Sequence, residues 1–152
     1  MPQRPLARAL ADAVQPMLRR PPRLQVAALC TRQGAEGTEV LLITSRGTGR
    51  WILPKGWPMP GRSLAEAAAQ EAWEEAGIRG RPEPEALGRY EAQKTTDGGL
   101  ELPCMVEVFR IAVEAVTDSF PEAGQRRRRW LAPSLAAGLV QEPGLRALLG
   151  RL

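Results

Sequence analysis

Three glutamates near the middle of the chain, Glu71, Glu74 and Glu75, have a spacing that could support chemistry. In a helix, residues three and four apart share a face, and like charges placed there repel one another. The carboxylates would also crowd the last turn, where the helix dipole favours cations. A divalent cation such as Mg²⁺ or Mn²⁺ would relieve both costs, because it prefers oxygen ligands of this kind. The spacing alone fits a solvated acidic helix face, but the small residues beside the glutamates and the glycine–proline loop before the helix favour a metal site.

The composition excludes several other kinds of chemistry. The 152-residue chain contains no histidine, which rules out Ser–His–Asp and Cys–His catalysis and histidine-ligated zinc. Its two cysteines, Cys30 and Cys104, are isolated, so no disulfide framework is predicted and a cytoplasmic location is expected. Chemistry must then come from carboxylates, arginine, lysine, hydroxyls, the two thiols or a hard metal ion.

The charge balance favours anionic partners. The formal net charge is +4, from 21 Lys and Arg against 17 Asp and Glu, and the only lysines are Lys55 and Lys94. This balance suits a phosphorylated small molecule and is weak support for nucleic acid, which is the less favoured partner. The longest apolar run, residues 26–30, is far short of the ~20 residues that cross a bilayer, so no membrane partner is expected. The oligomeric state stays open.

The helix that must carry the glutamates is strongly marked. Ser63 and Glu66 form a capping-box pattern at its start, and residues 64–76 are rich in alanine, which favours helix. Gly77 follows where a left-handed C-terminal cap is needed. The preceding segment, residues 54–61, contains three prolines and two glycines and is predicted to be an irregular loop.

The rest of the chain predicts one mixed sheet covered by helices, an α/β (α+β) domain over residues 23–152. Residues 1–22 are predicted to form an N-terminal extension or accessory helix, with residues 5–18 as its helical part. A broken helix pair is predicted at residues 135–140 and 143–152. Short runs predict strands at residues 25–30, 39–44, 51–53, 87–93, 105–113 and 130–131.

The segment from Gly56 to Ile78 resembles the box of the Nudix hydrolase family, G-x5-E-x7-R-E-U-x-E-E-x-G-U, where U is aliphatic. The match is in register over 23 residues, and Pro-Lys-Gly precedes it as part of a strand–loop–helix arrangement. Weaker similarity extends over roughly residues 24–150. The matching positions are Gly56, Glu71, Glu74, Glu75, Gly77 and Ile78, with Ala72 at the aliphatic position.

Two positions depart from the family pattern. Arg62 stands where the first glutamate is usual, and Gln70 stands where the arginine is usual. In the family these two residues usually support each other as a charge pair. Because both have changed here, no buried charge need be left without its partner. The three glutamates expected to bind metal are retained.

The resemblance implies an α/β/α sandwich and hydrolysis of a diphosphate linkage with the help of Mg²⁺ or Mn²⁺. Glu71 and Glu75 would be the main metal ligands, with a backbone carbonyl from the segment Lys55–Gly56. Glu74 would be a further ligand or part of the base that activates water. An additional base or ligand could come from a later loop, for which the candidates are Glu101, Glu107 and Glu122.

The segment from Ser45 to Gly56 is similar to the diphosphoinositol polyphosphate and dinucleoside polyphosphate branch of the family. Arg46, Arg50 and Lys55 lie just before the box, and we expect them to contact substrate phosphates. The run 126–129 of four arginines either adds to this rim or is a solvated face, and in extended chain its side chains would alternate. The alternative functions are an RNA 5′-pyrophosphohydrolase and a non-catalytic Nudix-like nucleotide-binding module.

Overall fold

The computed structural model describes residues 22–152, and eight strands in this range form one mixed sheet. Apart from Pro22, the predicted N-terminal extension and its helical segment, residues 5–18, lie outside the described residues. The strands are β1 (Arg23–Gly34), β2 (Gly37–Thr44), β3 (Trp51–Ile52), β4 (Lys55–Gly56), β5 (Ile78–Pro82), β6 (Gly88–Thr95), β7 (Glu101–Val116) and β8 (Arg128–Leu131).

The centre of the sheet is the parallel pair β1 and β7, which runs from Arg23 opposite Cys104 to Thr31 opposite Ala112. The main path of the sheet is β3-β2-β1-β7-β5, and β4, β6 and β8 pair with β1, β7 and β2, respectively. All ladders in residues 22–152 other than β1–β7 are antiparallel. The predicted mixed sheet is therefore confirmed.

Two strands were not expected from the sequence. β4 lies within the segment predicted to be an irregular loop, yet Lys55 and Gly56 pair with Ala27 and Val26 of β1. β5 begins directly after the helix cap and pairs with β7, far along the chain. Both pairings depend on distant partners, which a local pattern of side chains does not reveal.

Three helices in the described range cover both faces of the sheet, which confirms the α/β/α sandwich. They are α1 (Leu64–Ala76), α2 (Pro133–Leu139) and α3 (Pro143–Gly150). On one face, α1 packs its small side chains against a core that includes Val26, Phe109 and Ile111. On the other face, α2 and α3 cover a core that includes Leu29, Leu42, Val106 and Val108. The buried alanines of α1 are Ala65, Ala67, Ala68, Ala72 and Ala76.

Both ends of α1 are fixed by the caps that the sequence predicts. Ser63 Oγ accepts a hydrogen bond from the Glu66 amide, and the Glu66 carboxylate accepts one from the Ser63 amide, each at 3.1 Å. Gly77 has φ 69° and ψ 29°, the left-handed conformation that glycine adopts without strain. The last two turns of α1 therefore have a fixed position over the sheet.

Replacement of Gly77 by alanine is expected to destabilise the protein by about 2 kcal/mol, because a side chain is strained in the left-handed region. A Cβ there would also lie 2.5 Å from Phe120 Cδ1 and from the Thr117 carbonyl oxygen. Urea denaturation measures the loss. The control is Gly138→Ala in α2, where a Cβ meets nothing within 4 Å. Equal stability of the two variants would contradict the prediction.

Both cysteines are buried and free, as expected for small apolar side chains without a disulfide. Burial raises the pKa of Cys30 to about 12. Within residues 22–152, no helix combines the length and the apolar character that crossing a membrane requires.

Candidate active site

The last turns of α1 bring Glu71 and Glu75 beside strand β4. Glu75 is buried, with 4% of its surface exposed, and its Oε1 atom accepts a hydrogen bond from the backbone amide of Lys55 at 3.3 Å. Because Lys55 and Gly56 are themselves paired with β1, this bond joins the helix to the central sheet. The unexpected strand β4 is thus the element that positions the carboxylates.

Gly56 provides the space that Glu71 occupies. A Cβ built on Gly56 would lie 2.8 Å from Glu71 Oε2 and closer still to Oε1 and Cδ. Any larger residue at position 56 would therefore collide with the carboxylate. The match of this glycine to the family box has a direct steric reason in the structure.

The buried carboxyl group of Glu75 and the half-buried one of Glu71 both have raised pKa values. Burial, and then the charges of Glu74 and Glu122, raise the pKa of Glu71 to about 7. Burial raises the pKa of Glu75 to about 8, against the opposing effect of Arg126 and with a further contribution from Glu71. A nearby cation stabilises the ionised form of such a carboxyl group, because the cation replaces the proton as the charge that neutralises it.

The donor set suits a hard divalent cation. Glu75 Oε2 is buried and accepts no hydrogen bond, although Arg126 Nη2 lies 3.3 Å away, so a cation that displaces this guanidinium could take the oxygen as a ligand. Glu71 lies beside it, and the adjacent Lys55–Gly56 segment, whose Lys55 amide contacts Glu75, would be the source of a backbone carbonyl ligand. Carboxylate and carbonyl oxygens are the ligands that Mg²⁺ and Mn²⁺ prefer. No group of three or more Asp, Glu or Cys side chains in the described part of the chain is arranged to hold a metal, so the protein ligands would centre on a carboxylate pair.

Glu74 has different partners from the other two glutamates. Its carboxylate accepts a hydrogen bond from Gln70 Nε2 at 2.9 Å, and Gln70 Oε1 accepts one from Arg62 Nη1 at 2.9 Å. The two residues that depart from the family pattern are therefore direct partners. Arg62 and Gln70 still join the loop to the helix, and their chain of hydrogen bonds ends on Glu74.

A cleft of about 290 Å³ opens beside Glu75. It is lined by all three residues that the sequence predicts for phosphate binding, Arg46, Arg50 and Lys55. It is also lined by Lys94, which no sequence pattern assigns to the site, and by Arg126, which belongs to the run whose place in the rim the sequence leaves open. The clue to Arg126 was the alternation within the arginine run, and the clue to Lys94 was that the chain uses only two lysines. Five cationic side chains therefore surround one cleft next to the carboxylate pair.

Three of these cations are held by neighbouring polar groups. Arg50 Nη1 lies 2.6 and 3.2 Å from the two carboxylate oxygens of Glu142. Lys55 Nζ donates to Gln25 Oε1 at 3.2 Å, and burial together with the Arg50 charge lowers the pKa of Lys55. Arg46 is more exposed and donates to Gln125 at 3.1 Å. Arg50 and Lys55 are therefore oriented before any ligand arrives.

The three later carboxylates considered as bases lie in different surroundings. Glu122 is near enough to the pair to raise the pKa of both Glu71 and Glu75. Glu107 forms an ion pair with Arg89 at 3.3 Å. Glu101 lines a second cleft, next to the cationic one.

The four arginines of the run alternate as predicted. Arg126 reaches the site, whereas Arg127 and Arg129 are exposed. Arg128 donates to the carbonyl oxygens of Ala76 and Thr117, at 3.0 and 2.8 Å, and so supports the end of α1. The run is thus neither a continuous rim nor a wholly solvated face.

The sequence is similar to those of known hydrolases. A family model described as the NUDIX domain matches residues 21–147. Nudix hydrolase 21, chloroplastic, of Arabidopsis thaliana is 34% identical over 124 residues, which cover 78% of this chain and 58% of that protein. Diphosphoinositol polyphosphate phosphohydrolase 3-beta of Bos taurus is 39% identical over 119 residues, which cover 77% of this chain and 68% of that protein.

The solved structure of the C. elegans Ap4A hydrolase shares the fold. The comparison has a TM-score of 0.64 and 19% identity, and covers 86% of this chain and 96% of that one. Matches to the first curated relatives span about half of their length, from 48% to 58%. Since the family model covers nearly all of the described residues, the chain belongs to the Nudix family.

Proposed function

We propose that the protein is a pyrophosphohydrolase that uses a divalent cation to cleave a diphosphate linkage in a polyphosphorylated small molecule. The observation that carries this proposal is the opening of a five-cation cleft directly onto Glu75. Arginine and lysine bind phosphate through charge-assisted hydrogen bonds. A phosphate chain in this cleft would lie against the buried carboxylate of Glu75.

Glu71, Glu75 and the Lys55–Gly56 backbone would hold Mg²⁺ or Mn²⁺. When bound, the cation supplies positive charge to the diphosphate oxygens and makes a water molecule more acidic. Arg50 and Lys55 would bind and orient the phosphate chain, because their side chains are already held by Glu142 and Gln25. Such orientation before reaction reduces the entropy lost when substrate binds.

We propose Glu122 as the residue that takes the proton from the attacking water. It lies next to the carboxylate pair, and its contact with Arg126, at 3.4 Å, keeps it at the edge of the cleft. Glu74 is the alternative, although its carboxylate already accepts a hydrogen bond from Gln70. A carboxylate can act as general base without any histidine.

A second cleft favours a dinucleoside polyphosphate over a diphosphoinositol polyphosphate. It measures about 530 Å³, adjoins the cationic cleft through Thr48 and Arg50, and is lined by Glu91, Glu101 and Glu142. Carboxylates repel a ring that carries several phosphates, but they accept hydrogen bonds from the amino groups of a nucleobase. The acidic lining also disfavours an RNA chain, whose backbone needs a basic path beyond the site.

The proposal is tested by incubating the protein with Mg²⁺ or Mn²⁺ and a panel of substrates. The panel contains dinucleoside polyphosphates, nucleoside triphosphates, nucleotide sugars, diphosphoinositol phosphates and triphosphorylated RNA, and chromatography identifies the products. We expect dinucleoside polyphosphates to be cleaved fastest and a chelator to abolish cleavage. Metal-dependent binding without turnover on any compound would instead support a nucleotide-binding module.

Replacement of Arg50 by alanine is expected to weaken substrate binding about 10-fold, because one charge-assisted hydrogen bond to phosphate contributes about 1.5 kcal/mol. Metal affinity should change by less than about 2-fold, since Arg50 contacts Glu142 rather than the carboxylate pair. Separate titrations with metal and with substrate measure the two effects. The control is Arg81→Ala, which removes an exposed arginine on β5. Equal loss of metal and substrate affinity would argue against the phosphate-binding role.

We also propose a cytoplasmic location, supported by two cysteines that are both buried and unpaired. The Arabidopsis thaliana relatives named as chloroplastic and mitochondrial show that other members of the family occupy organelles. Fractionation of cells that express the protein tests this point.

A further inference from the structure

Arg126 is a buried arginine that lies between Glu75 of α1 and Glu122. Its side chain is only 9% exposed, and its Nη2 atom lies 3.3 Å from Glu75 Oε2 and 3.4 Å from Glu122 Oε1. Its Nη1 atom donates to the Thr44 carbonyl oxygen at 3.1 Å. One guanidinium therefore bridges two carboxylates and attaches them to the end of β2.

The bonding of this bridge is incomplete. Glu75 Oε2 and Arg126 Nε are both buried, and each lacks a hydrogen-bond partner. Buried polar atoms are usually satisfied, so an unpartnered pair in one site calls for an explanation. The carboxylate oxygen would accept a cation, and the N–H group would donate to an anion. Both residues line the cationic cleft, where a metal ion and a phosphate would supply the two missing partners.

The charge of Arg126 is also what a metal ion would provide. The guanidinium lies 3.3 Å from Glu75 Oε2, and it opposes the rise in the pKa of that carboxyl. A metal ion on Glu75 would compete for the same oxygen and would repel the guanidinium. Arg126 would then be available to bind a phosphate with its planar set of N–H donors.

We propose that Arg126 is a resident counter-ion of Glu75 that the metal ion displaces and that then binds substrate phosphate. This inference rests on the metal site of the proposed function. Metal loading must break the contact between Arg126 and Glu75, which lowers the affinity of the free protein for metal. The released guanidinium raises the affinity for phosphate, so the two binding events are coupled.

The test measures metal binding alone, before any turnover. Mg²⁺ is titrated into metal-free protein at one fixed pH for all variants, and the shift in melting temperature gives the dissociation constant. We expect Arg126→Ala to bind Mg²⁺ about 10-fold more tightly than the wild-type protein, because the guanidinium no longer competes with the metal for Glu75. A 10-fold change corresponds to about 1.4 kcal/mol of binding free energy. The control is Arg129→Ala, which removes a charge from the exposed side of the same run and should change the constant by less than about 2-fold.

A second titration examines phosphate binding. At saturating Mg²⁺, the non-hydrolysable diphosphate methylenediphosphonate should bind Arg126→Ala about 10-fold more weakly than the unchanged protein, because a charge-assisted contact is lost. If Arg126→Ala fails to fold, Arg126→Met retains the length and apolar part of the side chain and should show the same two changes.

The outcomes separate this inference from the proposed function. Unchanged or weaker Mg²⁺ binding by the folded Arg126 variants would overturn the counter-ion role and leave a residue that only positions Glu75. Unchanged binding of methylenediphosphonate would overturn the phosphate role. If the unchanged protein binds no Mg²⁺, or if Glu75→Gln binds it equally well, the metal site itself is wrong and both proposals fail.

Discussion

Glu75→Gln is expected to reduce metal-dependent hydrolysis by about 1,000-fold, a loss of about 4 kcal/mol of transition-state stabilisation. The substitution replaces a buried carboxylate oxygen by an amide that donates where a cation must bind. It should also abolish the rise in melting temperature on addition of Mg²⁺, because the protein would have lost a main ligand. Initial rates and melting temperatures at several Mg²⁺ concentrations measure both effects.

The fold of the Glu75→Gln variant should survive. Glutamine has nearly the same size and shape as glutamate, and its side-chain oxygen can still accept the hydrogen bond from the Lys55 amide. We therefore expect the free energy of unfolding without metal to change by less than about 1 kcal/mol. Glu85→Gln, at an exposed position before β6, is the matched control. Hydrolysis by Glu75→Gln at the rate of this control would refute the assignment.

Gly56→Ala is expected to lower hydrolysis about 100-fold, the cost of misplacing a reacting group by about 1 Å. The added methyl group would occupy the space of the Glu71 carboxylate, which must turn away from Glu75. Metal affinity should fall by about 10- to 100-fold, because a ligand is moved rather than removed. Rates at increasing Mg²⁺ concentration distinguish this result from Glu75→Gln, because excess metal should partly restore activity.

The effect of Gly56→Ala should be local. The colliding atoms form the end of a flexible side chain, and Gly56 does not have positive φ, so the backbone tolerates alanine. Gly98→Ala is the control, because a Cβ there meets nothing within 4 Å and the backbone is equally permissive. Loss of folding in Gly56→Ala, rather than loss of metal affinity, would contradict the view that Gly56 serves to leave space for the Glu71 carboxylate.

The sequence predicts α1 and its surroundings well because those signals are local. The cap residues Ser63 and Gly77 lie next to the helix that they end, and Glu71 and Glu75 share a face through helix geometry alone. The same holds for the residues predicted to bind phosphate, which lie close before the box and all line the cleft. Each of these signals depends on residues that are close together in the chain.

The features that the sequence misses or leaves open depend on contacts between distant segments. Strand β4 forms because Lys55 and Gly56 meet β1, about 30 residues away along the chain. Arg126 and Glu122 reach the site because the segment before β8 returns to the end of α1, where the Glu122 amide donates to the Glu74 carbonyl oxygen at 3.0 Å. Lys94 enters through the pairing of β6 with β7. A short sequence pattern cannot predict such contacts between distant segments.

Arg50 belongs to both clefts, and this sharing has a consequence for the products of the reaction. The cationic cleft on one side would take a phosphate chain, and the acidic cleft on the other would take the uncharged end of the substrate. A dinucleoside polyphosphate held in this way has a defined direction across the site. The acidic cleft would then fix the number of phosphates between the bound nucleoside and the cleaved bond. Substrates of different chain length would therefore release the same nucleotide from this end and a second product of varying length.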